Sequence, residues 1–234
     1  MDSAESHRKI CLKQQTELRR LMTSSSQHQQ ALRLFLHQHA LLHSQKMTPT
    51  EPWSFEDEVL DDLTDAQIRQ VPPGSEHSVA WLIWHIARCE DITMNLLVEG
   101  TSQVLHQDGW LERVKSPIRH TGNAMDVPAI DAFSRKIDLD ALRAYRLAVG
   151  CRTREIVITL NPEDMKQKVE PSRMVKVMEE GAVIEAAHGI ADYWSKRDVA
   201  GLLLMPATRH PLIHLNEALE LKREFAKSAA VESP

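Results

Sequence analysis

Several features that mark other protein classes are scarce or missing in this sequence. Its three cysteines, Cys11, Cys89 and Cys151, lie far apart along the chain. A disulfide framework is therefore not expected, and a reducing compartment fits best. Glycine is low, at 8 of 234 residues, and runs of β-branched residues are few. Both observations favour helices over strands.

The sequence also lacks the charge pattern of nucleic-acid binders and the apolar runs of membrane proteins. The formal net charge is −5 and there is no basic stripe, so no nucleic-acid partner is expected. No run of about 18 apolar residues is present, so no membrane span is expected. Residues 1–5 do not start a charged segment followed by an apolar core, so no signal peptide is predicted. We therefore expect a cytoplasmic protein.

Hydrophobic periodicity predicts a mainly helical chain. The strongest helix covers 75–98, where 78–87 is apolar almost all round, as expected of a helix buried in a bundle. Ser75 is its predicted cap and Gly100 its predicted stop. Further predicted helices and helical pieces cover 4–22, 27–46, 110–114, 138–160, 181–192 and 196–204. The coarse picture is a bundle of four principal helices with additional short ones.

Proline and polar residues predict the interruptions. Residues 101–136 are expected to be mostly irregular and 164–180 to be a loop or short strand. Pro206 is expected to break the chain, after which Thr208 caps a last helix that runs to about Ala226. We divide the chain into an N-terminal helical extension at 1–27, a bundle domain at 28–228 and a flexible C-terminal tail at 229–234.

Two histidines four residues apart, His210 and His214, lie near the start of the last predicted helix. This spacing places them about 40° apart around the axis and roughly 6 Å apart along it, so both can reach one metal ion. The alternative is a solvated helix face, since 12 histidines in 234 residues give about 0.6 such pairs by chance. Glu217 falls on the same stripe and is a candidate to orient a ligand or to accept a proton.

A second pair with the same spacing, His39 and His43, lies on a predicted helix rich in glutamine and histidine. We interpret this pair as polar or partly buried surface. Its stripe includes Leu32 and Leu36, so an inward-facing role stays open.

His85 is the histidine of the most apolar helix. It is either a core residue hydrogen-bonded to a neighbour or a metal ligand or general base. Trp81 and Cys89 lie one turn away on the same face, which makes them candidates for the wall of a pocket. Glu90 and Asp91 point roughly 120–140° away from His85 and are expected to face solvent or a neighbouring helix.

Several stretches in chain order resemble the DinB-like superfamily of four-helix metal-binding proteins. They are SVAWLIWHIARCED at 78–91, IDLDALRAY at 137–145, EEGA at 179–182, YWSK at 193–196 and PATRHPLIHLNEA at 206–218. The resemblance covers about residues 28–228. It implies an all-α, DinB-like four-helix bundle with additional short helices, preceded by the N-terminal helical extension.

The resemblance also implies a divalent metal held by His85, His210 and His214. Many relatives have another residue where this chain has Pro211, which can start the helix there. Three neutral imidazoles suit zinc or nickel, with iron and manganese as alternatives. Three protein ligands leave positions open for water or substrate, as in catalytic rather than structural sites.

The resemblance leaves two functions open. The first is a metal-dependent transferase or hydrolase that acts on a small molecule, with a low-molecular-weight thiol as a candidate cosubstrate, since relatives use such thiols. The alternative is a non-catalytic bundle that binds a small ligand or a partner, with a structural metal or none. A homodimer is compatible with either function.

Overall fold

The computed structural model describes residues 3–51 and 53–231, and the chain in these ranges is predominantly helical. The α-helices, in chain order, are α1 (Ser3–Met22), α2 (His28–Leu41), α3 (Phe55–Leu60), α4 (Asp65–Arg69), α5 (Val79–Asp91), α6 (Trp110–Val114), α7 (Val127–Lys136), α8 (Leu139–Thr159), α9 (Pro171–Glu179), α10 (His188–Ser195), α11 (Val199–Leu204) and α12 (His210–Val231). Within the described ranges no β-strand forms, and an isolated bridge pairs Lys168 with Asp198. The predicted all-α class is confirmed.

The principal helices of the bundle are α2, α5, α8 and α12. Helix α5 contacts both α8 and α12, and α2 contacts α8. Every residue of α5 is buried, which explains why its sequence is apolar almost all round. A π-helical segment, Ile92–Glu99, continues α5 and ends at Gly100, whose φ of 80° is left-handed. Gly100 therefore ends the helix as predicted.

The start of α5 differs from the prediction. Ser78, and not Ser75, is its cap, because the hydroxyl of Ser78 accepts a hydrogen bond from the backbone N–H of Trp81 at 3.0 Å. Ser75 instead closes a turn, with its N–H donating to the carbonyl of Pro72. The same Ser78 hydroxyl lies 2.7 Å from that of Ser134, which ties the start of α5 to α7.

Two helices, α7 and α9, form in stretches that were predicted to be irregular, loop or strand, and both begin next to a proline. In α7 the Asp126 side chain accepts from the N–H of Ala129 at 2.9 Å, and Pro128 lies in the first turn. In α9, Pro171 is the first helical residue. A proline in the first turn costs no hydrogen bond, since those N–H groups have no partner within the helix. The predictions of an irregular connection at 127–136 and of a strand or loop at 171–179 are therefore wrong.

The predicted break at Pro206 is also wrong. A π-helical segment, Met205–Arg209, joins α11 to α12 and keeps the backbone helical. The backbone nitrogen of a proline carries no hydrogen and cannot donate the ordinary helical hydrogen bond. The wider π-helical turn accommodates the proline without ending the helix. Thr208 is not a cap, because its hydroxyl donates to the carbonyls of Leu203 and Leu204. Helix α12 continues past Ala226 to Val231, and residues 232–234 of the predicted tail lie outside the described residues.

The N-terminal helix α1 packs on α2 and on α11. Its Leu18, Leu21 and Met22 are buried in a core cluster together with Leu32 and Phe35 of α2. Residues 1 and 2 of the predicted extension lie outside the described residues. Among the helices that the structure describes, none has both the length and the apolarity needed to cross a membrane.

Candidate metal centre

Three histidines from two helices meet between α5 and α12. His85 lies in α5, and His210 and His214 lie in the first two turns of α12. The Nε2 atoms of His85 and His210 are 3.1 Å apart. The His214 ring centroid lies 5.0 Å from that of His85 and 4.5 Å from that of His210. We call these three residues the trihistidine cluster.

A loop fixes the orientation of His85. The Nδ1 atom of His85 lies 2.8 Å from the carbonyl of Thr121. Because a carbonyl only accepts hydrogen bonds, Nδ1 carries the proton and Nε2 presents its lone pair. Two other side chains of α5 hold the same loop, since Trp84 donates to the carbonyl of His120 and Arg88 to that of Arg119. The loop is thus fastened to α5 at three successive carbonyls.

Glu217 orients His214 in a similar way. Its Oε2 accepts from Nδ1 of His214 at 3.0 Å, and its Oε1 accepts from Nδ1 of His77 at 2.6 Å. In the neutral form of the His214 ring, this hydrogen bond leaves Nε2 unprotonated, as required of a metal ligand. Burial acts to raise the pKa of Glu217, but the hydrogen bonds from the two imidazoles outweigh it and lower the pKa to about 2. A carboxylate with so low a pKa is suited to orienting a ligand and is a poor proton acceptor.

The surroundings of the cluster keep the imidazoles of His85 and His210 neutral. Burial, followed by the neighbouring His214, lowers the pKa of His85 to about 3. Desolvation by the surrounding protein, followed by His85 and His214, holds the pKa of His210 well below its usual range. Neutral imidazole is the form that binds a metal.

The trihistidine cluster lies on the wall of a cavity of about 400 Å³. Trp81 stacks on His85 with ring centroids 4.7 Å apart, and His77 stacks on the other face of Trp81 at 4.1 Å. Cys89 also lines the cavity, and burial raises the pKa of its thiol, so the thiol stays protonated. The remaining lining residues are mostly apolar or aromatic, namely Asn123, Ile190, Tyr193, Trp194, Met205 and Pro206.

The donor set fits a divalent metal. Two ligand atoms that are each about 2.0–2.1 Å from one zinc ion lie roughly 3.3 Å apart at the tetrahedral angle, close to the 3.1 Å between Nε2 of His85 and Nε2 of His210. The Nδ1 atom of His210 is buried and has no hydrogen-bond partner among the described residues. His85 and His210 are therefore suited to hold a metal through their Nε2 atoms, and the Cys89 sulfur belongs to the same group of ligand atoms that lie within 4.8 Å of one another.

The structure places the predicted site residues together, since Trp81 and Cys89 line the same cavity as the three histidines and Glu217 contacts His214. Sequence reasoning missed His77. The available signal was the succession of His77, Trp81 and His85 at intervals of four residues, but His77 precedes the helix.

The interpretation of His39 and His43 as polar or partly buried surface is wrong. Both side chains are fully buried, and each has a nitrogen within 3.1 Å of a Glu90 carboxylate oxygen. Glu90 and Asp91 are fully buried as well and face neighbouring helices, not solvent. Asp91 accepts from the hydroxyl of Tyr145 at 2.6 Å. His188, which the sequence does not place, is exposed.

The fold and the cluster together define a class of protein, an all-α bundle in which one histidine of a central helix meets a histidine pair of the last helix. The sequence model of the DinB superfamily matches residues 57–217, which is more than half of the chain. The chain therefore belongs to the DinB superfamily, whose members are generally metal-binding. The match includes all three residues of the trihistidine cluster. No curated protein matches the chain.

Replacing Glu217 by glutamine is expected to weaken zinc binding at the trihistidine cluster by about 10–100-fold. Glutamine keeps the size of the side chain but removes the charge that orients His214. Competition with a chromophoric chelator measures the zinc dissociation constant. Glu220→Gln is the control, since Glu220 is exposed on the same helix and pairs with Arg223. An unchanged dissociation constant in the Glu217 variant would contradict the orienting role.

Proposed function

We propose that this protein is a metal-dependent transferase or hydrolase that acts on a small molecule, with His85, His210 and His214 as the metal ligands. The observation that carries the proposal is the convergence of three imidazoles, those of His85 and His210 kept neutral by burial, on the wall of a cavity of about 400 Å³. Cavities of this size accommodate small ligands. Three protein ligands leave coordination positions open, as in catalytic zinc sites. Zinc or nickel is the preferred metal, with iron and manganese as alternatives.

A bound divalent metal supplies Lewis acidity and lowers the pKa of a coordinated water or thiol. The chain's own residues contribute position and shape. The Thr121 carbonyl and the Glu217 carboxylate hold the imidazoles of His85 and His214 in the required tautomer. The stacked ring of Trp81 and the apolar side chains of the cavity exclude water and bind the apolar part of a substrate.

A neighbouring groove favours a substrate or cosubstrate with an anionic group. The groove has a volume of about 600 Å³ and shares Tyr193 and Met205 with the cavity of the trihistidine cluster. Arg19, Arg197 and Arg209 all line it. Guanidinium groups recognise carboxylates and phosphates. A thiol that carries a carboxylate would place its sulfur at the metal and its charge toward this groove.

Metal analysis tests the ligand assignment. Protein without a histidine tag is freed of metal, saturated with zinc and desalted, and the bound zinc is measured. We expect His85→Ala, His210→Ala and His214→Ala each to bind about one equivalent less than the wild type. His188→Ala is the matched control, because His188 is exposed and does not line the cavity of the trihistidine cluster. Wild-type protein that binds less than about a tenth of an equivalent would overturn the proposal.

Cobalt substitution tests the open positions and the thiol. With cobalt-loaded protein, we expect 3-mercaptopropionate to produce a thiolate-to-cobalt charge-transfer band, and to do so at lower concentration than the uncharged 2-mercaptoethanol. Turnover of electrophilic small molecules with either thiol should then disappear in His214→Ala. The alternative, a non-catalytic module with a closed structural metal, is indicated if no thiol changes the spectrum and a chelator strongly lowers the melting temperature.

A further inference from the structure

A second group of metal-binding side chains lies outside the cavity of the trihistidine cluster. It consists of His39 of α2, His43 just after α2, and Glu90 of α5, and all three side chains are 0 % exposed. Nε2 of His39 is 2.7 Å from Oε1 of Glu90, and Nε2 of His43 is 3.1 Å from Oε2. The ligand atoms of the three residues all lie within 4.8 Å of one another. We call this group the buried His–Glu cluster.

The contact between His43 and Glu90 lacks a bridging proton when the His43 ring is neutral. Nδ1 of His43 lies 2.9 Å from the carbonyl of His39. That nitrogen therefore carries the proton, and Nε2 of the neutral ring presents a lone pair. This lone pair is 3.1 Å from a carboxylate oxygen, and neither atom has a hydrogen-bond partner among the described residues. Two buried lone pairs in this position require a positive species between them.

The geometry favours a metal cation over a proton. Nε2 of His43 and Oε2 of Glu90 are close, but they are not aligned as a hydrogen bond. The lone pairs of two ligands of one metal ion converge on the ion and do not point at each other.

Arg146 is paired with Glu90 only at long range, because its hydrogen bonds go to other groups. Arg146 is bonded to Glu56 through Nε and to the carbonyl of Leu42 through a terminal nitrogen. Its other terminal nitrogen is 3.9 Å from Oε2 of Glu90 and has no hydrogen-bond partner among the described residues. The guanidinium is thus committed to Glu56. Buried carboxylates are normally paired or bound to a metal.

The chain also makes room for the second imidazole. Gly150 of α8 lies against His43, and a Cβ atom at this position would be 2.6 Å from Cδ2 of the ring. A side chain there would displace the imidazole from its position beside Glu90.

We propose that His39, His43 and Glu90 bind a second divalent metal ion, separate from the one at the trihistidine cluster. Two imidazoles and one carboxylate suit zinc, iron or manganese. Because the ligands are fully buried and do not line the cavity, the site is structural and joins α2 to α5. His39 and His43 lie outside the residues that match the DinB superfamily, which begin at residue 57.

Zinc stoichiometry tests this proposal on the full-length, untagged protein. After saturation and desalting, we expect two equivalents in the wild type and in the surface control His188→Ala. Glu90→Gln and His210→Ala should each bind one equivalent, and the double variant should bind almost none. Glu90→Gln that binds as much zinc as the wild type would overturn the second site. If His210→Ala keeps both equivalents while Glu90→Gln loses one, the site at the buried His–Glu cluster is supported and the site at the trihistidine cluster is refuted.

Nuclear magnetic resonance on the wild type tests the site without relying on the folding of a variant. Added zinc should shift the imidazole nitrogen signals of His39 and His43 to the values of metal-bound nitrogen. If only the nitrogens of the trihistidine cluster respond to zinc, the proposal is wrong.

Discussion

Replacing Arg146 by alanine is expected to lower the free energy of unfolding by about 3–5 kcal/mol. Arg146 and its partner Glu56 are both almost completely buried, and the guanidinium also donates to the carbonyl of Leu42 at 2.8 Å. Removing the guanidinium leaves the Glu56 carboxylate buried without a cation. Burial already raises the pKa of Glu56 against the opposing effect of Arg146, so the loss of Arg146 would raise this pKa further.

Guanidinium chloride unfolding measures this effect, with a chelator present so that bound metal does not contribute. Arg152→Ala is the matched control on the same helix. Arg152 pairs with Glu99 and Glu155 at a partly exposed position, and exposed pairs of this kind contribute at most about 1 kcal/mol. If the two variants lose equal stability, the buried ion pair does not have the role described for it.

Replacing Gly122 by alanine is expected to weaken zinc binding by about 10–100-fold. Gly122 has a φ of 88°, and a Cβ there would lie 2.7 Å from Nε1 of Trp81. Trp81 stacks on His85, and Thr121, the neighbour of Gly122, accepts the hydrogen bond from that histidine. A single methyl group would therefore disturb both contacts that orient His85.

Gly74→Ala separates this local effect from backbone strain. Gly74 has a φ of 84°, and nothing lies within 4 Å of a Cβ placed there. Both variants should lose about 1–3 kcal/mol of stability from the left-handed backbone. Only the Gly122 variant should bind zinc more weakly in a chelator competition assay. Equal zinc affinity in the two variants would show that Trp81 does not hold His85 in place.

Local signals in the sequence predicted the parts of the fold and site that depend on one helix. The apolar run at 78–87 identified the central helix, and its lone histidine was the one that meets the pair of the last helix. The spacing of His210 and His214 placed both on one face. The prediction treated Pro128 as an interruption of helical structure. Proline is tolerated in the first turn of a helix and disfavoured in the interior, and Pro128 lies in a first turn.

Contacts between distant segments could not be predicted in this way. Glu90 lies roughly 140° around α5 from His85, which left solvent and a neighbouring helix as alternatives, and α2 covers that side and supplies His39. The pairing of His77 with Glu217 joins residues 140 positions apart. A polar residue on a helix can face water or a buried partner, and its own helix does not decide between them.

The π-helical segment Met205–Arg209 has a consequence for insertions and deletions in this chain. Each residue of an α-helix advances the chain by about 100° around the axis. Removing one residue from this segment would allow α11 to continue into α12 as an uninterrupted α-helix. That change would rotate His210 and His214 together away from His85 without altering any ligand. The segment should therefore tolerate substitutions far better than changes in length.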